Sequence, residues 1–320
     1  MPRLSVPFRS RRGLFGRILF LGTLLTLAAP VYAQWLPYRV DKGIVYHKAK
    51  GIDLVVDVFV PTFENLNPMF GSPEEGKGKG IIDVVSGGFK DSDDRLREHE
   101  MAGLFMVMCN RGYTVFAVRP GSVPQFTDLE MTANLQWGIR WVKENAPKYG
   151  VDPEKLALAG ASAGGHLALM SMVNEEQGDP SAQDPLMRHG TRVKAVVAFF
   201  PPADFLRWEN DQPVDYSREP KLMFSDGLEG HSREEQDAMA ARLSPARHVK
   251  PGLPPLLLIH GDSDPIVPLN QSLYMEQAMR EAGNEVKLII KPGGGHFWLT
   301  IIEEIMVAAD WVTQKLADGK

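Results

Sequence analysis

The chain has 320 residues, of which 44% are hydrophobic and 23% charged, and its formal net charge is −5 at pH 7. This composition is typical of a globular protein and excludes a largely disordered or membrane-embedded chain. The only cysteine is Cys109, so no internal disulfide can form. Stability must therefore come from a sizeable core, in which Cys109 is expected to be a buried packing residue.

Residues 1–33 have the features of a secretory signal peptide. Five arginines precede an uncharged run at 18–29, and the small-residue sequence Val31-Tyr32-Ala33 follows it. Because the run is shorter than the roughly 20 residues that a membrane-spanning helix needs, we expect cleavage after Ala33. The adjacent Arg11 and Arg12 also fit a twin-arginine export signal. The pattern predicts a secreted or periplasmic protein, with an uncleaved membrane anchor as the alternative.

Removal of this leader changes the charge of the chain and the partners expected of it. The leader holds five of the 35 basic residues and no acidic residue, which leaves 30 basic against 40 acidic residues. Such an acidic chain is a poor match for nucleic acid. We also expect no stable insertion into a membrane once the leader is removed.

Residues 34–320 are expected to form one domain of alternating strands and helices. A strand at 52–60 has an apolar residue at every even position, with Asp53 and Asp57 on the other, half-solvated face. Apolar residues three or four apart predict helices over 131–146 and 301–316. Short apolar runs typical of buried parallel strands lie at 81–85, 114–118, 156–158, 193–199 and 256–259. The pattern predicts a mostly parallel sheet covered by helices on both faces, with ligands bound at the carboxyl ends of its strands.

One connection is too long for an ordinary loop. Residues 201–254 separate two predicted strands and are rich in charged residues, proline and glycine. We expect a partly helical cap insertion over the site. Because this segment is polar and offers no long apolar stretch to line an acyl tunnel, we expect a preference for short acyl groups.

A candidate nucleophile lies in residues 156–165, which read LALAGASAGG. An apolar strand runs into Gly-Ala-Ser-Ala-Gly and then into a predicted helix from about Gly165, which is the sequence context of a nucleophile elbow. Only small residues two before and two after the serine fit such a sharp turn, and Gly160 and Gly164 supply them. The pattern predicts that Ser162 is a nucleophile at a helix amino end. A purely structural Gly/Ser turn is the alternative.

A serine hydroxyl needs a base, normally a histidine held by a carboxylate. His296 follows a predicted strand and three glycines, which would let its loop swing over the sheet towards Ser162. His166 and His260 are expected to be local structural residues. The remaining five, among them His99, lie among polar residues and are expected to be solvated. Two acids that follow a strand, Asp262 and Asp264, could orient His296, although either could instead only cap the turn or the next helix.

Three motifs together resemble the bacterial feruloyl/acetyl-xylan esterase-like branch of the α/β-hydrolases, and prolyl-oligopeptidase catalytic domains share much of the pattern. They are residues 160–166 (GASAGGH), residues 260–268 (HGDSDPIVP) and Gly295-His296, and the similarity extends roughly from Tyr38 to the end. The resemblance implies an α/β-hydrolase fold. It also implies that Asp264, the second acid of its segment, completes a triad with Ser162 and His296.

The sequence departs from these relatives after the first central strand. Many of them carry His-Gly-Gly-Gly there, whereas residues 85–89 read VSGGF, so the histidine is missing. Backbone amides need only the right turn, so the amides of Gly88, Phe89 and Ala163 could still form an oxyanion hole. A plain glycine turn is the alternative.

The motifs predict a serine carboxylic-ester hydrolase that acts through an acyl-enzyme and needs no cofactor or metal. The resemblance suggests acetyl or hydroxycinnamoyl esters of carbohydrates as substrates. A serine exopeptidase of the prolyl-oligopeptidase type would use the same triad, and a non-catalytic hydrolase-fold binding module is the alternative from another class.

Overall fold

The computed structural model describes residues 36–209 and 211–317. The expected signal peptide and its cleavage site lie outside the described residues. From Pro37 onwards the described chain forms one compact unit.

Eight strands of the described chain form a single sheet. In chain order they are β1 (Tyr38–Ala49), β2 (Ile52–Pro61), β3 (Gly80–Val84), β4 (Thr114–Val118), β5 (Leu156–Ala161), β6 (Ala195–Phe199), β7 (Leu256–Gly261) and β8 (Val286–Lys291). Their order across the sheet is β1-β2-β4-β3-β5-β6-β7-β8. Strand β2 is antiparallel to both of its neighbours, and β4, β3 and β5 to β8 are parallel to one another. The fold is therefore the expected mostly parallel sheet.

The α-helices of the described chain are α1 (Asp93–Met101), α2 (Leu104–Asn110), α3 (Asp128–Asn145), α4 (Ala163–Val173), α5 (Pro220–Met223), α6 (Arg233–Arg242), α7 (Asn270–Glu281) and α8 (Ile301–Lys315). Short 3-10 helices lie at Pro68–Phe70, Ala146–Tyr149, Pro185–Arg188, Tyr216–Arg218 and Pro245–Arg247. Helix α3 begins with a capping box. The Thr127 hydroxyl accepts a hydrogen bond from the Glu130 amide, and the Glu130 carboxylate accepts one from the Thr127 amide.

Helices cover both faces of the sheet because successive side chains of a buried strand point to opposite faces. Ile82 and Leu158 belong to the core that Leu135 of α3 and Leu167 of α4 complete. The alternate residues of the same strands face α2 and α8, where Ala157 lies among leucine, methionine and isoleucine side chains. Strands buried on both faces explain the continuous apolar runs of the sequence.

The predicted central strands and the three predicted helices are all present, most of them with shifted ends. The structure extends the strand predicted at 156–158 to Ala161, and it begins the strand predicted at 193–199 at Ala195. Strand β1, whose long pairing with β2 forms the antiparallel edge, was not predicted from the sequence. No helix in the described ranges is long and apolar enough to cross a membrane.

Two expectations about solvation were wrong. Asp57 of β2 is buried, because Arg119 at the end of β4 pairs with it at 2.9 Å. The side chain of His99 is only 13% exposed, and its Nδ1 lies 2.8 Å from the buried carboxylate of Asp83 in β3. A buried carboxylate needs a partner, and neither of these long-range partners can be identified from local sequence.

The parallel strands align the loops that carry the predicted site residues. Val84 of β3 is in register with Gly160 of β5, and Ala161 is in register with Phe199 of β6. The loops after β3, β5, β7 and β8 therefore lie at one edge of the sheet, where their side chains can converge.

Candidate active site

Ser162 occupies a sharp turn between β5 and α4. Its φ of 53° and ψ of −122° lie outside the regions that a side chain normally allows. The flanking glycines make this turn possible. A Cβ on Gly160 would lie 2.4 Å from the Gly164 carbonyl oxygen, and a Cβ on Gly164 would lie 2.3 Å from the Val84 carbonyl oxygen. The sterics expected of a nucleophile elbow are therefore present at this turn.

The structure brings Ser162, His296 and Asp264 together. His296 Nε2 lies 2.9 Å from Ser162 Oγ, and His296 Nδ1 lies 2.7 Å from Asp264 Oδ2. A carboxylate can only accept, so Nδ1 carries the hydrogen and Nε2 presents its lone pair to the serine hydroxyl. The arrangement can move a proton from Ser162 to His296 while Asp264 stabilises the imidazolium that forms.

The side chain of Asp264 is fully buried and accepts several hydrogen bonds. Burial raises its pKa, but hydrogen bonds from His260, His296 and the amides of Ile266 and Val267 together outweigh burial and hold the pKa well below its usual range. The two amides donate to Oδ1 at 2.8 and 3.0 Å. The carboxylate is thus kept ionised opposite the imidazole.

Asp262 takes a different position. Its Oδ1 accepts from the Gly293 amide at 2.7 Å and from the Ser263 hydroxyl at 3.0 Å. These bonds join the loop after β7 to the loop that leads to His296. Of the two acids left open by the sequence, Asp264 is the one in contact with His296.

Two residues that pack against Asp264 and His296 were not predicted from the sequence to do so. The Val267 carbonyl can only accept, so the buried ring of His260 carries a hydrogen on Nε2, which lies 2.9 Å from that oxygen and 3.4 Å from Asp264 Oδ2. Its Nδ1 lies 2.7 Å from the Ser272 hydroxyl. The ring of Phe200 lies 4.6 Å from that of His296 at a tilt of 55°. The contact between His260 and Asp264 could have been predicted, because both residues belong to one motif. No local pattern singles out Phe200.

The three amides predicted for an oxyanion hole belong to residues that line one cavity with Ser162. Gly88 and Phe89 both have positive φ, 56° and 57°, and they line one cavity with Ser162 and Ala163. Within the described ranges, none of the three amides has a hydrogen-bond acceptor. Free donors beside the serine hydroxyl are what an oxyanion hole requires.

The cavity beside Ser162 has a volume of about 250 Å³. Its walls come from the elbow, from the loop after β3, from the segment between β6 and β7, and from Ile266 and Val267 in the loop after β7. That segment is polar in composition, but the side chains that it turns inward are mostly apolar or aromatic: Phe205, Trp208, Val214, Tyr216, Leu222, Met223 and Leu243. Asp215, Arg218 and Glu219 also line the cavity. An apolar cavity with a few polar groups suits a small organic substituent.

No group of three or more histidine, cysteine or acidic side chains in the described chain is arranged to hold a metal ion. Cys109 is buried, and burial raises the pKa of its thiol. A buried, protonated thiol is a packing residue and a poor nucleophile.

The sheet order, the strained serine turn and the Ser-His-Asp hydrogen bonds are those of an α/β-hydrolase fold. A family model described as BD-FAE matches residues 70–279, more than half of the chain. The chain belongs to the BD-FAE family.

Curated relatives and solved structures agree with this assignment. The chain is 27% identical over 224 residues to the esterase LipQ of Mycobacterium tuberculosis, covering 69% of this chain and 51% of LipQ. It is 25% identical over 232 residues to an acetylxylan esterase of Xylanibacter ruminicola, covering 70% of this chain and 42% of that protein. The chain spans about half the length of the curated relatives it matches. A truncated carbohydrate esterase from gut microbiota has the same fold, with a TM-score of 0.70 at 24% identity over 88% of this chain and 98% of that one.

Proposed function

We propose that the protein hydrolyses carboxylic esters through an acyl-enzyme on Ser162. The observation that carries this proposal is the continuous hydrogen-bonded path from Ser162 Oγ through His296 to Asp264. The names of the curated relatives support the reaction class, since LipQ and the acetylxylan esterase are both called esterases.

In the proposed reaction, His296 Nε2 takes the proton of Ser162 as Oγ attacks the ester carbonyl carbon. The amides of Gly88, Phe89 and Ala163 donate to the negative oxygen of the tetrahedral intermediate. Collapse breaks the bond to the alcohol oxygen, which leaves with the proton from His296. Water then gives a proton to His296 and attacks the acyl-enzyme, which releases the acid and restores Ser162.

The cavity favours one orientation of the substrate. His296 must reach the leaving oxygen, so the alcohol lies on the His296 side of Ser162. The walls of the cavity contain Ser162 and the loop at Gly88 and Phe89 but not His296. We therefore assign the cavity to the acyl group, and we call it the acyl cavity.

The size of the acyl cavity bears on the choice between acetyl and hydroxycinnamoyl groups. At about 30 Å³ per small group, 250 Å³ accommodates roughly eight heavy atoms. An acetyl group would leave most of this apolar space empty, whereas an aromatic acyl group would bury its ring against Phe205 and Trp208. We propose carbohydrate esters with a short aromatic acyl group as preferred substrates, and the carbohydrate esterase with the same fold supports the alcohol class.

The test compares esters that differ only in the acyl group. The purified chain without residues 1–33 would be assayed on acetylated and feruloylated sugars, on matched nitrophenyl esters and on proline-containing peptide amides. We expect kcat/KM to be higher for nitrophenyl 3-phenylpropanoate, whose eight carbons beyond the carbonyl match the volume of the cavity, than for nitrophenyl acetate, and to be negligible for the amides. Preferential amide cleavage would favour the exopeptidase, and no turnover of any substrate would favour a binding module.

We also propose that the protein is exported and that its leader is removed after Ala33. Expression in a bacterial host, separation of periplasm from cytoplasm and N-terminal sequencing of the product test this. A product in the membrane fraction that still begins at residue 1 would support the uncleaved anchor instead.

A further inference from the structure

We propose that His166 is a positioning residue that sets the shape of the acyl cavity and thereby the acyl selectivity of the enzyme. This inference rests on the proposed ester hydrolysis and concerns a side chain that does not touch the triad. His166 lies one helical turn beyond Ser162, and its amide donates to the Ser162 carbonyl at 2.9 Å. Its ring is fully buried and therefore reaches substrate only through other residues.

The His166 ring contacts three residues that line the acyl cavity. Its Nδ1 lies 3.1 Å from the carbonyl oxygen of Pro202, near the start of the segment between β6 and β7. The ring meets Phe89 edge-on at 5.6 Å and Phe205 at 5.1 Å with a tilt of 51°. Pro202, Phe89 and Phe205 all form walls of the cavity. The ring therefore joins α4 to two walls of the cavity, the loop after β3 and the segment between β6 and β7.

The opposite side of the ring is fixed by a buried carboxylate. His166 Nε2 lies 2.7 Å from Asp128 Oδ2 at the first residue of α3, and both side chains are 0% exposed. The Pro202 carbonyl can only accept, so Nδ1 carries a hydrogen, and one further proton lies between Nε2 and Asp128. Rotation of the ring would break both bonds without replacement by water, which is costly in a dry interior. The ring is thus held in one orientation and fixes the positions of the wall residues that pack against it.

A second histidine–carboxylate pair provides a matched control. His99 and Asp83 meet at 2.8 Å, with the carboxylate buried and the histidine side chain 13% exposed. Neither residue lines the acyl cavity. If His166 served only the stability of the fold, His99→Gln and His166→Asn should affect the enzyme in the same way.

The test measures acyl selectivity per active site. A fluorophosphonate titration gives the fraction of active enzyme in each preparation, and kcat and KM are then measured on nitrophenyl acetate and nitrophenyl 3-phenylpropanoate. We expect His166→Asn to lower the phenylpropanoate-to-acetate ratio of kcat/KM by about tenfold, mainly through KM. A displaced cavity wall should lower the affinity for the aromatic acyl group about as much as one misfitting methylene does. We expect His99→Gln to lower the melting temperature and leave the ratio unchanged.

Two milder variants keep the test decisive if His166→Asn does not fold. Asp128→Asn can donate its amide hydrogen to Nε2, so the ratio should stay near that of the wild type. Asp128→Ser removes the anchor but leaves room for water, and it should lower the ratio. An unchanged ratio in every folded His166 and Asp128→Ser variant would overturn the positioning role while leaving ester hydrolysis intact. A wild type that binds the probe but turns over neither ester would overturn both proposals.

Discussion

The replacement Asp264→Asn changes one atom and should reverse the hydrogen bonding of the candidate triad. Oδ1 of Asp264 accepts from the amides of Ile266 and Val267. An NH₂ group in that place would face two donors, so the oxygen of the new amide must stay there. The nitrogen then takes the place of Oδ2, 2.7 Å from His296 Nδ1.

The new amide also changes which ring nitrogen of His296 carries the hydrogen. Because the new NH₂ can only donate, Nδ1 must present its lone pair and the ring must carry its hydrogen on Nε2. A protonated Nε2 cannot take the proton of Ser162. The wrong tautomer should cost about 10⁴ in kcat, equivalent to about 5 kcal/mol of transition-state stabilisation.

Asp262→Asn is the matched control. Its amide oxygen can still accept from Gly293 and Ser263, so kcat should stay within about threefold of the wild type, as for other changes that keep surface hydrogen bonds. Both variants would be checked by circular dichroism and assayed on nitrophenyl acetate from pH 5 to 9. A greater loss of kcat in Asp262→Asn than in Asp264→Asn would refute this reasoning.

Three further predictions concern the nucleophile, its turn and a buried ion pair. Ser162→Ala should fold normally, lose several orders of magnitude in kcat and no longer react with a fluorophosphonate probe; equal labelling of both proteins would exclude Ser162 as the nucleophile. Gly164→Ala should lower the melting temperature and the activity together, because its Cβ would lie 2.3 Å from the Val84 carbonyl oxygen, which can move only if strand β3 moves. An unchanged melting temperature would contradict this. Burial lowers the pKa of His99, but the Asp83 carboxylate outweighs burial and raises it above its usual value. The resulting stabilisation should be complete below about pH 6.5 and be lost as pH rises through the raised pKa, so the urea midpoint should fall between pH 6 and 9 in the wild type and fall less in His99→Gln.

Local patterns in the sequence determined the central strands, the two long helices and the serine turn. An apolar run that is buried on both faces needs no knowledge of its neighbours to be identified, and a glycine on each side of Ser162 reflects a steric demand of the turn itself. The same kind of local argument identified Asp262 and Asp264 as the two acids that follow a strand and could orient His296. For the choice between these acids as the partner of His296, however, the sequence relied on resemblance to a family.

Only the tertiary structure decided which distant side chains meet. Asp57 looked solvated in the sequence because it alternates with apolar residues along a strand, and His99 because its neighbours in the chain are polar. Strand pairing and helix packing nevertheless bring Arg119 to Asp57 and Asp83 to His99. The acyl cavity is the clearest case. Residues 201–254 are polar on average, but folding turns Phe205 and Trp208 towards Ser162 and leaves the charged residues mostly outside. Composition counts the inward and the outward side chains of such a segment together. The free energy gained by burying apolar surface decides which of these side chains face the site.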